Sequence, residues 1–272
     1  MDITIIGAAF VMGGLGLVFG TILIVANKKL TIEEDPVVAA IRRALPGANC
    51  GACSYTGCDL YANAVADGRA KPNACPVGGE KLTLELSAIL GVEAEFARRE
   101  AAYVACSGSM RHSNFRYEYF GMDNCKAAMQ LMGGGSKACP VGCLGLKSCM
   151  GVCLFDAIKM VDGIAVIDKD KCTACGICLK ICPKKIIRMA PHSGTAAVLC
   201  ASKQSAKEIR SYCSVGCIGC KLCEKSCEYD AITVSDNLAV INVKKCTGCN
   251  ACADKCPMKA IKACYRSIQT QE

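Results

Sequence analysis

Eight cysteines recur at one fixed interval, and that interval limits what the chain can fold into. Cys139, Cys143, Cys149, Cys153, Cys172, Cys175, Cys178 and Cys182 each have a counterpart 74 residues later, at Cys213, Cys217, Cys223, Cys227, Cys246, Cys249, Cys252 and Cys256. A metal-binding unit therefore occurs twice. Its most regular runs, Cys172 to Cys182, Cys217 to Cys227 and Cys246 to Cys256, read C-x2-C-x2-C-x3-C. That is the spacing with which a chain wraps [4Fe–4S] clusters. With Cys50, Cys53, Cys58 and Cys75, 20 of the 25 cysteines fall into five runs of ligand-like spacing, which points to an electron carrier.

The other uses of so many cysteines fit less well. Zinc sites usually combine paired C-x2-C half-sites, often with His. Here the only histidines, His112 and His192, lie away from the ligand runs. Disulfides need an oxidising compartment, and the N-terminus argues against one. Ile3 to Ala26 carries no charge over 24 residues, roughly 36 Å as helix against a bilayer core of about 30 Å. Lys28 and Lys29 follow it, while only Asp2 precedes it. Positive flanking charge marks the cytoplasmic side, and the basic n-region of a cleaved signal is missing. The expectation is a single-pass anchor in the cell (inner) membrane with C-terminal cluster domains in the cytoplasm. Gly16 and Gly20 share one helix face that another membrane helix could approach closely.

The polypeptide has a formal charge of +8. Five oxidised clusters with their thiolates would contribute about −10 and bring the total to about −2. Lys169, Lys171, Lys244 and Lys245 sit just before ligand runs and balance cluster charge, so the basic count does not call for nucleic acid. No Trp is present, and metal ligation stands in for a large apolar core.

The expected fold class is α+β. A transmembrane anchor spans 1–27 and a four-Cys [4Fe–4S] domain 28–95. A connecting segment covers 96–138, followed by cysteine unit 1 at 139–190, a linker at 191–212 and cysteine unit 2 at 213–272. In the four-Cys domain a helix begins at Asp35 (N-cap) and Pro36, and a second, amphipathic helix is expected over Leu82 to Glu100 with an interruption at Gly91. Hairpins turn at Asp162-Gly163 and Asp236-Asn237. Gly133 to Gly135 lack the full phosphate-loop spacing, no G-x-G-x-x-G follows a strand, and no independent catalytic site is expected.

The layout of the repeated units resembles the bacterial two-[4Fe–4S] ferredoxins, in which the fourth cysteine of each run ligates the cluster of the other run. The resemblance implies two tandem ferredoxin-like modules with crossed ligation. Cys153 would join Cys172, Cys175 and Cys178; Cys256 would join Cys217, Cys220 and Cys223; Cys227 would join Cys246, Cys249 and Cys252. One site departs from the pattern. The counterpart of Cys220 is Leu146, which leaves Cys143, Cys149 and Cys182 one ligand short. Cys139 is the nearest replacement; Cys106, Cys125 or a three-iron cluster are alternatives. Five clusters are expected, and Cys106, Cys125, Cys200 and Cys213 are candidate ligands of a sixth. By spacing, Cys125 and Cys200 are candidate repeat equivalents.

Three features together, the glycine-rich anchor, the segment Leu45-Pro46-Gly47-Ala48-Asn49-Cys50-Gly51-Ala52-Cys53 leading to Cys58 and Cys75, and the modules behind it, give a resemblance to the B subunits of Rnf complexes in their longer form from anaerobes. Those complexes are membrane ferredoxin:NAD+ oxidoreductases coupled to Na+ or H+ transport. The resemblance implies electron entry from reduced soluble ferredoxin and transfer to other membrane and peripheral subunits, which would carry the NAD+ and flavin chemistry. A membrane-anchored polyferredoxin serving a hydrogenase or another reductase is the alternative reading.

Overall fold

The computed structural model of the protein describes residues 3–30, 35–96 and 98–263. Helix α1 (Ile3–Leu30) contains Phe10–Lys28, which has a mean hydropathy of 2.0 and is long and apolar enough to cross a membrane. Phe10, Leu17 and Leu23 are exposed on it, and a Cβ added at Gly7, Gly13, Gly14, Gly16 or Gly20 would meet nothing.

The four-Cys domain has an apolar core of its own. Helix α2 (Pro36–Ala44) starts where Asp35 accepts the Val37 N–H at 2.8 Å, with Pro36 in the first turn. It packs with α3 (Cys58–Ala66) and α4 (Gly79–Leu90) around Ile41, Leu45, Tyr61, Val65, Leu82 and Leu86. The Tyr61 hydroxyl donates to the Lys71 carbonyl at 2.8 Å. The expected helix from Leu82 to Glu100 is shorter. Gly91, at φ +66°, caps α4 in the left-handed conformation that glycine adopts without steric cost. Glu100 instead opens a strand.

Each cysteine unit consists of a tight hairpin and an outer strand pair. In unit 1 the hairpin joins β2 (Ile158–Val161) to β3 (Ile164–Ile167), and β1 (Glu100–Val104) runs antiparallel to β4 (Ile187–Pro191). Unit 2 repeats the plan. Hairpin β6 (Ile232–Ser235) and β7 (Leu238–Ile241) accompanies the pair β5 (Ala196–Val198) and β8 (Ile261–Ala263). Both hairpin turns have positive φ at both central residues: 45° and 74° at Asp162 and Gly163, 49° and 59° at Asp236 and Asn237. That geometry matches the twist of the flanking strands.

The segments 96–138 and 191–212 thus supply the first strand of each unit. They also join the units. Asn114 N–H donates at 2.8 Å to the carbonyl of Tyr212, the last residue of helix α8 (Ala206–Tyr212), Ser214 N–H to the His112 carbonyl at 2.9 Å, and Ser107 N–H to the Leu199 carbonyl at 3.0 Å. Gly133 and its neighbours form a short 3-10 turn, held by the Arg116 guanidinium on the carbonyls of Gly133 and Ala138.

Candidate metal centres

Short helices carry the candidate ligands. Helices α6 (Ser148–Gly151), α7 (Ile177–Ile181), α9 (Leu222–Lys225) and α10 (Ala251–Asp254) bury Cys149, Cys178, Cys223 and Cys252 respectively. Before each stands a residue in the left-handed region, Lys147, Gly176, Lys221 or Asn250. The chain therefore turns sharply and aims consecutive cysteines at one point.

Twenty-four cysteines form six sets of four; Cys264 lies outside the described residues. In the N-terminal domain Cys75 is buried, lies within charge range of Cys53 and Cys50, and shares its core with Cys58. The Cys58 N–H is fixed by Asn49 Oδ1 at 2.8 Å. In unit 1 burial pushes the Cys178 thiol up to about 12, and Cys172, Cys175 and Cys153 add to the effect. Cys217, Cys220, Cys223 and Cys256 line one cavity, and Cys227, Cys246, Cys249 and Cys252 line another. The fourth cysteine of each regular run thus stands beside the other run.

The remaining two sets show what spacing did not. Cys125, not Cys139, lies with Cys143, Cys149 and Cys182 in one cavity. Burial pushes Cys149 up to about 12, with Cys143, Cys125 and Cys182 acting the same way. Cys139 lines a different cavity, with Cys106, Cys200 and Cys213. That cavity lies between the two units and takes two cysteines from each. Cys106 and Cys200 both follow the first strand of their unit by two residues, so Cys106, rather than Cys125, is the equivalent of Cys200. The four cavities that hold these last four sets are alike in size, 360, 330, 340 and 310 Å3 including adjoining solvent.

The donor sets fit [4Fe–4S] clusters. Four sulfurs surround each cavity, yet among the described residues no three His, Cys, Asp or Glu side chains are set to hold a metal ion directly. Buried thiols with raised pKa values, up to about 12 at Cys223 and about 11 at Cys252, carry protons until metal replaces them. Backbone N–H groups point at sulfur: Ala102 at Cys172 (3.4 Å), Ala231 at Cys227 (3.4 Å) and Ala260 at Cys256 (3.3 Å). Ser107 Oγ, in the cavity between the units, is buried with no partner and can donate to a sulfur there.

The six sets lie in one file. Cys50 is close enough to raise the Cys175 thiol, after burial, and Cys149 likewise raises Cys178. The Cys143 N–H donates to Cys106 Sγ at 3.4 Å. On the other side Cys217, the repeat equivalent of Cys143, stands close enough to Cys200 to shift its thiol, behind burial. Cys223 and Cys252 share the core of unit 2, where α9 packs on α10.

Three family models match parts of the chain: an Fe-S cluster family over 45–77, a 4Fe-4S binding domain over 165–188 and a 4Fe-4S dicluster domain over 216–261. Among curated proteins the chain is 41% identical to the B subunit of the ion-translocating oxidoreductase complex of Methanosarcina acetivorans, over 96% of this chain and 99% of that one. It is 43% identical to the B subunit of the Na(+)-translocating ferredoxin:NAD(+) oxidoreductase complex of Acetobacterium woodii, over 92% and 75%. The proton-translocating counterpart of Clostridium ljungdahlii is 38% identical over 99% and 96%.

Proposed function

Because the chain belongs to the family of ion-translocating oxidoreductase complex B subunits, we propose that it is the electron-relaying component of a membrane ferredoxin:NAD+ oxidoreductase coupled to Na+ or H+ transport. It would take electrons from reduced ferredoxin and pass them to the other subunits of the complex. The observation that carries this reading is the single file of four-cysteine sets.

Six clusters are proposed. Their ligands are Cys50, Cys53, Cys58 and Cys75; Cys153, Cys172, Cys175 and Cys178; Cys125, Cys143, Cys149 and Cys182; Cys106, Cys139, Cys200 and Cys213; Cys217, Cys220, Cys223 and Cys256; and Cys227, Cys246, Cys249 and Cys252. The arrangement is two tandem two-cluster ferredoxin-like modules behind the N-terminal domain, with one further site between them. When bound, the clusters supply single-electron transfer, a chemistry no side chain here provides. The polypeptide contributes the rest. Cysteines fix neighbouring sites at close range, buried Ile158, Ile186, Ile187, Ile232 and Ile261 keep water from them, and N–H groups aimed at sulfur favour the reduced state.

The anchor reading is supported by the length and hydropathy of Phe10–Lys28, and the cytoplasmic placement of the cluster domains by Lys28 and Lys29. The open glycine face around Gly16 and Gly20 suits a partner membrane helix.

The deciding experiment is anaerobic iron and sulfide content per chain, followed by EPR during titration with reduced ferredoxin. About 24 irons, at four per cluster, all reducible by ferredoxin, are expected. Bound zinc, few irons, or clusters that ferredoxin leaves oxidised would overturn the assignment.

A further inference from the structure

Lys137 is the one charged side chain fully buried among the described residues, at 2% exposure. A buried ammonium is costly unless an opposite charge lies close. No carboxylate among the described residues pairs with it. Its Nζ donates to the Gly108 carbonyl and, at 2.8 Å, to the Cys143 carbonyl, and it lies 5.8 Å from the centre of the Phe115 ring. These are dipoles and a ring face, with no full negative charge among them.

What the ammonium does face is sulfur. Lys137 lines the cavity of Cys106, Cys139, Cys200 and Cys213. The carbonyl it binds at 2.8 Å belongs to Cys143 of the next set. Gly142 makes room for its stem, since a Cβ there would stand 2.9 Å from Lys137 Cδ. Among the described residues the second unit has no such cation. The position equivalent to Lys137 is Ser211, and the equivalent glycine, Gly216, faces the side chain of Ile209. The cavity is thus nearly symmetric in its cysteines and asymmetric in charge.

We propose that Lys137 is the buried counter-charge of the inter-unit site, and that it raises the reduction potential there by stabilising the added electron. The inference rests on the reading that Cys106, Cys139, Cys200 and Cys213 hold a [4Fe–4S] cluster. The electron comes from the cluster next in the file, which is oxidised as the inter-unit cluster is reduced. The net charge of the inter-unit cluster with its four thiolates goes from about −2 to about −3, and no proton need move. Lys137 therefore makes the junction between the two units a favourable place for the electron to cross.

The test is an EPR-monitored redox titration of the whole protein, with iron content measured alongside. Cys200→Ser identifies the inter-unit signal as the one it removes, with about four irons. If Cys200→Ser costs no iron, the site reading fails, whatever Lys137 does. If it does cost iron, Lys137→Met and Lys137→Gln should keep the cluster and lower its potential. The ratio of reduced to oxidised cluster at the native midpoint should fall at least about tenfold, or about 59 mV for a one-electron couple. The shift should persist in about 1 M salt, where the screening length is about 3 Å and surface charges are silenced. An unmoved potential, or a shift abolished by salt, would overturn the role of Lys137 alone. Should both neutral variants shed the cluster, the Cys125 site is compared in Cys200→Ser and in Cys200→Ser/Lys137→Met. A lower potential in the double variant supports the counter-charge, and an equal one overturns it.

Discussion

At the residue scale, the fourth cysteine of one set lies off its regular position, on an insertion. Leu146 stands where the repeat calls for cysteine, and the thiol that faces Cys143, Cys149 and Cys182 is Cys125. Asn124 sets it in place by capping the short helix α5 (Cys125–Met129), and Ser148 Oγ holds the Cys125 N–H at 2.8 Å. Cys125→Ser should therefore cost up to about four irons per chain, or leave a three-iron cluster with its own EPR signal. Adding Leu146→Cys to Cys125→Ser should restore the lost iron, because position 146 is where the second unit places Cys220. Cys139→Ser should leave that site intact and empty the inter-unit one. Iron analysis and EPR of the three variants check the assignment, and loss of the Cys125-site signal in Cys139→Ser would refute it.

At the scale of elements, the two units depend on close backbone approach and on metal. Gly219, at φ +64°, passes beneath the second hairpin turn, where an added Cβ would lie 2.8 Å from Asn237 Cα. Gly145 meets Gly163 in the same way in unit 1. Gly219→Ala would strain the backbone by about 1–2 kcal/mol and collide with main chain that cannot rotate away. It should lower the temperature at which the cluster absorbance bleaches and cost iron, whereas Gly151→Ala, with open space around it, should do neither. Metal removal separates the elements further. Cysteines are prominent in the buried cores of both units, Cys143, Cys149 and Cys178 in one and Cys200, Cys223 and Cys252 in the other, while the N-terminal core contributes only Cys75. Stripping iron should make both units protease-sensitive and leave the helices of the N-terminal domain visible by circular dichroism, since ligation is the folding energy of the two units. Resistance of the stripped units would contradict this. These elements differ in how legible they are. The hairpins and the start of α2 follow from turn and cap chemistry within a few residues, at Asp162-Gly163, Asp236-Asn237 and Asp35-Pro36. Strands β1 and β5 are short, alanine-rich and paired with strands at the far end of their unit, so no local pattern marks them. The inter-unit site was obscured for a related reason. Cys106 precedes Cys139 by 33 residues but Cys200 precedes Cys213 by 13, so the insertion that carries Cys125 also breaks the 74-residue register. The parallel between Ala102-Tyr103-Val104-Ala105-Cys106 and Ala196-Ala197-Val198-Leu199-Cys200 was the signal that could have revealed it.

At the scale of the whole molecule, the file has one crossing between its halves. Three sets, those of Cys50, Cys153 and Cys125, lie on one side of the inter-unit cavity, and those of Cys217 and Cys227 on the other. Both neighbours reach the cavity at equivalent positions: the Cys143 N–H donates to the Cys106 sulfur, and Cys217 lies close enough to Cys200 to shift its thiol. The approaches between neighbouring sets, Cys50 to Cys175, Cys149 to Cys178, Cys143 to Cys106 and Cys217 to Cys200, form a path through this set. Cys200→Ser should therefore divide the relay while leaving both halves folded, because hydrogen bonds from Asn114 to the Tyr212 carbonyl and from Ser214 to the His112 carbonyl still join them. Mixed rapidly with reduced ferredoxin, the native protein should reduce its clusters on both sides. The variant should reduce only the half the donor meets, and the other half should stay oxidised on that timescale. Freeze-quenched EPR reads the two populations separately, and the half that reduces identifies the donor's docking end. Equal rates in native protein and variant would mean that electrons bypass the cavity, and the single-file arrangement would fall with that result.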